Sequence, residues 1–221
     1  MNQFFMYSNL AIFICTAVSF TYGAIRFFKK GKALYLQMIV GGLGCMMLSR
    51  AFQFITILTM GSFPSGFHVG MLGMAGGFLF FLSANYGQMD KLLDDGAREN
   101  RKYRLIGLIA PIVLFGVYSV LFFVPAAADK RTIYGIMSAI IMLASYFNLK
   151  HFIFPDVEFG FIRTIRGYNL IALILALLSV SEMVLLSLNV KIPLLIVYIA
   201  TCIVSIAIVP ILEKGVKKWA I

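Results

Sequence analysis

The strongest constraint on this chain is the recurrence of apolar runs long enough to cross a bilayer. A helix rises 1.5 Å per residue, so ~20 apolar residues cover the ~30 Å of hydrocarbon. Seven runs meet that length, at about 8–27, 34–60, 67–88, 105–125, 132–152, 167–188 and 192–212. Lipid offers no hydrogen bonds to the backbone, so each run is expected to be a helix. The links between them are short. "GSFPSG" (61–66), "VPAAADKR" (124–131) and "LNVKIP" (188–193) leave no room for a soluble domain. With 61% hydrophobic and only 13% charged residues, the composition also departs from the ~25% charge of soluble domains. The expected fold class is an all-α integral membrane protein, one seven-helix transmembrane domain over residues 1–221.

The chain carries a formal charge of +10. In a soluble protein that excess would suggest nucleic acid. Here the bases flank the apolar runs, so the expected partner is the lipid bilayer and no nucleic acid. Fifteen of the 19 bases follow the odd-numbered runs, among them Arg26, Lys91, Arg104, Lys150, Arg166 and Lys214. Only Lys130, Arg131 and Lys191 lie on the other side. Positive charge stays in the cytoplasm, so the N-terminus is expected outside and the C-terminus inside, in a multi-pass cell-membrane protein. The opening "MNQFFMYSN" holds no Lys or Arg, which reads as a retained first helix rather than a cleaved signal. The longest links, 89–104 and 153–166, fall on the cytoplasmic side. The second mixes aromatics with bases, as membrane-surface segments do.

The remaining base, Arg50, lies within the second run, where a guanidinium is costly in hydrocarbon. It sits ~25 Å along that run from the cytoplasmic entry. Glu182, the one acidic residue deep in a run, sits ~24 Å along the sixth. Two lone opposite charges at matching depth are expected to pair. The competing readings are an Arg50 that snorkels outward and a protonated Glu182. Arg50, Gln53 and Thr56 share a broad helix face. Asn169, Ala172, Ala176, Ser179 and Glu182 make a small and polar stripe on the sixth run, and Tyr198, Thr201 and Ser205 another on the seventh. A hydrated cavity between the second, sixth and seventh runs would use these stripes; plain interhelical hydrogen bonds would use them equally. Gly66, Gly70, Gly73 and Gly77 on the third run form a small-residue face for close helix packing.

A second polar set gathers at the cytoplasmic ends: Asn85 and Gln88 at the end of the third run, Asn148, Lys150 and His151 on the fifth. Interfacial solvation, a ligand site or a docking surface for a cytoplasmic or membrane protein partner would each place polar residues there. His68 and His151 fall on opposite sides of the membrane. Cys15, Cys45 and Cys202 lie singly in apolar runs. No metal site, no cofactor and no catalytic residue is expected from these spacings.

Seven helices with an outside N-terminus resemble, in architecture alone, microbial rhodopsins, SWEET sugar transporters and the membrane sensor modules of bacterial kinases. The marks of those families are missing: the seventh run has no central Lys and no Pro-Gln loop motif occurs. The expected function is therefore read from the site. It is a non-enzymatic, receptor-like or sensory module that binds a small molecule in the outer half of the bundle. Arg50 and Glu182 would be its charged centre, with Gln53, Ser179, Tyr198 and Thr201 around them. A small-solute or proton-coupled transporter is the alternative, and an intramembrane lipid-modifying enzyme a third reading.

Overall fold

Packing an apolar helix in lipid leaves one face to neighbours and one to acyl chains, and the fold follows that division. The computed structural model describes residues 2–64, 66–86, 90, 94, 96–155 and 161–219. The described residues form helices α1 (Asn2–Phe27), α2 (Leu34–Met60), α3 (Val69–Asn85), α4 (Arg101–Gly107), α5 (Ile109–Ser119), α6 (Arg131–Ile153), α7 (Phe161–Leu188) and α8 (Lys191–Trp219), with short 3-10 turns between some of them. Six stretches are long and apolar enough to span a membrane: Gln3–Phe27, Leu34–Met60, Arg98–Phe123, Arg131–Ile153, Ile165–Leu188 and Lys191–Lys217. The chain is a helical, multi-pass membrane protein. Its flanks carry side chains such as Leu48, Ile55, Ile112, Ile196 and Ile203, which lipid solvates and water would not.

The third run forms a 17-residue helix, Val69–Asn85. Residues 87–89 and 91–93 lie outside the described set, so any continuation toward Asp95 does too. The first helix starts at Asn2 rather than near residue 8, because Phe4 and Phe5 pack beside Ile12, Leu194 and Tyr198. The last runs past 212 to Trp219, where Lys217 pairs with Glu213 one turn earlier at 3.0 Å. The fourth run is interrupted. Pro111 offers no N–H and its ring crowds the carbonyl of Gly107, four residues earlier. The α-helix accordingly breaks at Leu108 and restarts at Ile109.

The helices close into a ring: α1 packs on α2, α2 on α3, α3 on α6, α6 on α7, α7 on α8, and α8 returns to α1. The α4–α5 span lies outside this ring, against α6 and α7. The tightest seam is α2–α3. A Cβ on Gly77 would come within 3.0 Å of the Gly42 carbonyl, and one on Gly73 within 2.8 Å of the Cys45 carbonyl. Only glycine lets the two backbones approach this far, the role expected of the small-residue face. Ser49 Oγ seals the seam by donating to the Gly70 carbonyl at 2.5 Å. Gly61 ends α2 with φ 68, and its N–H caps the Ile57 carbonyl. The ring interior holds Ile39, Leu43, Phe78, Phe81, Ile141 and Tyr168, all essentially without exposure.

Candidate functional site

Arg50 and Glu182 meet across the ring, from α2 and α7. Both are 3% exposed. Arg50 Nη1 donates to Glu182 Oε1 at 2.5 Å, and Nη2 bonds Glu182 Oε2. The planar guanidinium matches a carboxylate in this two-bond arrangement, which fixes orientation as well as charge. Nη1 also faces Gln53 Oε1 at 3.1 Å and Asn9 Oδ1 at 3.4 Å. The carboxylate and the two amide oxygens come from three helices, so the guanidinium ties α1, α2 and α7 together. The pair carries no net charge and is almost entirely buried. Each charge offsets the cost of burying the other.

Above the pair, toward the end of the bundle where α1 begins, the packing opens. A cavity of about 30 Å³ is lined by Gln53, Ser179 and Glu182 together with His68, Met74 and Met137. It adjoins a larger one of about 210 Å³ bounded by Phe5, Phe63, Met71, Ile133, Tyr134 and Leu186, with Lys130 and Asn189 at its polar edge. The two share Phe63, Met71, Tyr134 and Leu186, so they form one recess with the ion pair in its floor. Its walls come from α1, the α2–α3 turn, α3, the start of α6 and the end of α7. His68, at the turn, stacks on Phe52 with centroids 5.6 Å apart, and burial holds its imidazole below the usual range.

Arg50, Glu182, Gln53 and Ser179 thus share one centre. Tyr198 and Thr201 do not line the recess, but Tyr198 lies near enough to the pair to interact with the charges of both Arg50 and Glu182. Tyr198 is buried on the α1 side, its ring 6.2 Å from that of Phe4. Thr201 donates to its own helix at the Val197 carbonyl, 2.8 Å away. The space beside the pair opens toward α3 and α6, and aromatic packing from α1 lies on the α8 side. Asn9, Lys130 and Tyr134 were missed by sequence reasoning. Asn9 carried a usable signal, being an amide within an apolar helix about two turns from its start.

At the opposite end, Asn85, Asn148 and His151 are fully buried. They face one another and offer no docking surface. Asn85 Nδ2 donates to Asn148 Oδ1 at 2.6 Å. His151 sits between Asn85 Oδ1 at 3.1 Å and Asp90 Oδ1 at 3.0 Å. Lys150, 3% exposed, reaches Asp90 and Asp94 at 2.7 Å each. Arg104 adds a 2.9 Å bond to Asp94 and a 2.8 Å bond to the Ala97 carbonyl. Burial pushes both carboxyls up, but the bonds from His151 and Lys150 to Asp90, and from Lys150 and the Gly96 N–H to Asp94, hold them below the usual carboxylate range. This cluster clamps the α3–α4 link onto the end of α6. Gln88 lies outside the described residues.

Among the described residues no group of three or more His, Cys, Asp or Glu side chains could hold a metal ion. No protein-family model, curated protein or solved structure matches the chain.

Proposed function

We propose that the protein is a receptor-like or sensory membrane module that binds a small molecule in the recess above the Arg50–Glu182 pair. In this reading α3 is the seventh span, the α1 end of the bundle is outside, and the Asp90–Lys150–His151 cluster is cytoplasmic. The observation that carries the reading is the recess itself. It has apolar and aromatic walls, a few convergent polar groups and a floor pinned to three helices, which is the make-up of ligand pockets. A molecule bound there would touch elements on both sides of the ring and bias how they pack. The buried cluster at the other end could relay that bias to a separate protein through the α3–α4 link.

Two features favour binding over transport. Below the recess the ring centre is filled by Phe78, Phe81, Ile141 and Tyr168. Glu182, the intramembrane carboxylate a proton-coupled carrier would use, is held in a two-bond pair with Arg50.

Ligand binding is checked with a plug. Ile133→Trp should fill the recess and abolish the thermal stabilisation that a binding compound gives to the purified protein. The same compound should show no flux in proteoliposomes. Binding that survives the plug, or flux that the plug blocks, would contradict the receptor reading.

The orientation predicts opposite labelling of two engineered thiols in a background with the three native cysteines replaced. Ser62→Cys should react with a membrane-impermeant maleimide added to intact cells, and Ala97→Cys only after permeabilisation. Reaction of both in intact cells would exclude this topology.

A further inference from the structure

Resting on the ligand-binding reading above, we propose that the recess takes a small organic anion: a carboxylate head at Lys130 and a single-ring or branched apolar body between Phe63, Tyr134 and Leu186.

The size comes first. A cavity of ~150 Å³ holds benzene. The main recess, at about 210 Å³, accommodates one ring with a short chain, far less than a two-chain lipid. The walls decide the body. Phe5, Phe63, Met71, Ile133 and Leu186 offer apolar contact, and among the described residues hydroxyl or amide groups come from Tyr134 and Asn189.

Charge decides the head. Glu182 in the floor is cancelled by Arg50, so the floor is neutral. Lys130 is the one cation lining the main recess, and it has no carboxylate within 4 Å among the described residues. The neighbouring Arg131 is turned away, with its guanidinium on the carbonyls of Leu121, Phe122 and Val124. Asp129 is exposed and does not itself line the recess, but its charge reaches Tyr134 in the recess wall. Lys130 also stands at the N-terminus of α6, whose first turn contains no acidic residue and whose N-cap gives no side-chain bond to the free N–H groups. That adds positive potential on the same side as the ammonium. His68 sits deeper and is held toward its neutral form. The rim of the recess thus carries the Lys130 ammonium, with no acid pairing it within 4 Å among the described residues, over an apolar interior.

Three probes of one shape test this: 4-phenylbutanoate, 4-phenylbutanol and 4-phenylbutylamine, titrated calorimetrically into the purified full chain. The carboxylate should bind most tightly. Lys130→Gln should weaken it by about tenfold, the size of one charge-assisted hydrogen bond, and leave the alcohol unchanged. Lys130→Arg should retain the preference, and Lys130→Glu should shift it to the amine. Equal binding of all three probes to the unmodified protein, or a preference unaltered in Lys130→Gln, would overturn the anion assignment while sparing the ligand-binding reading. If no probe binds, or binding ignores Ile133→Trp, both fall together.

Discussion

Replacing Arg50 with Ala should destabilise the protein by about 3–5 kcal/mol, and Glu182→Ala should do nearly the same. The cause is what remains rather than what is lost. Without the guanidinium, Glu182 is left buried with its two charge-assisted bonds gone, and the oxygens of Gln53 and Asn9 lose a shared donor. Removing both charges takes away the attraction and the burial penalty together. A double Arg50→Met/Glu182→Met variant should therefore cost much less than the sum of the singles, and apolar replacements of buried pairs are often close to neutral. The check is a double-mutant cycle on unfolding in detergent. Additive losses would mean that the two side chains act independently and that the pair is not the joint between α2 and α7.

The second large effect lies at the other end. Lys150→Met should cost about 3 kcal/mol near neutral pH, because Asp90 and Asp94 both lose their 2.7 Å ammonium partner. The pH dependence separates this from lost packing. In the unmodified protein both carboxyls titrate below the usual range. Groups with a depressed folded pKa stabilise fully above their unfolded value of about 3.9 and lose that contribution as pH falls through the folded value. Lys150→Met removes part of that depression, while His151 still holds Asp90 and Arg104 and the Gly96 N–H still hold Asp94, so the variant loses less stability on acidification. Unfolding curves of the two proteins should converge as the pH is lowered from 7 toward 3.5. A deficit of constant size across that interval would assign the loss to the apolar stem of Lys150 instead.

Six of the seven expected spans were legible because run length is a one-dimensional property that lipid enforces residue by residue. The Arg50–Glu182 contact was accessible for a related reason: each is a lone charge in its run, and 1.5 Å per residue converts position into depth. Side-chain direction was less readable. Tyr198 and Thr201 form a regular polar stripe, yet the helix turns it toward α1, where Phe4 covers Tyr198. The fourth span looked continuous in hydropathy, and only the steric demand of Pro111 splits it. Asp90 and Asp94 carry no sequence signal of their own; their partners, Lys150, His151 and Arg104, come from elsewhere in the chain. The recess is a product of packing among five elements. No single helix records it, and Lys130 and Tyr134 look in sequence like ordinary interfacial residues.

The most direct measurement of ligand binding at this site is a crystallographic density map of the chain grown with saturating 4-phenylbutanoate. The expected map has the ring between Phe63, Tyr134 and Leu186, the carboxylate within hydrogen-bonding distance of Lys130 Nζ, and the Arg50–Glu182 pair intact beneath it. A map in which those three side chains close on one another, with the compound bound elsewhere or absent, would contradict the account.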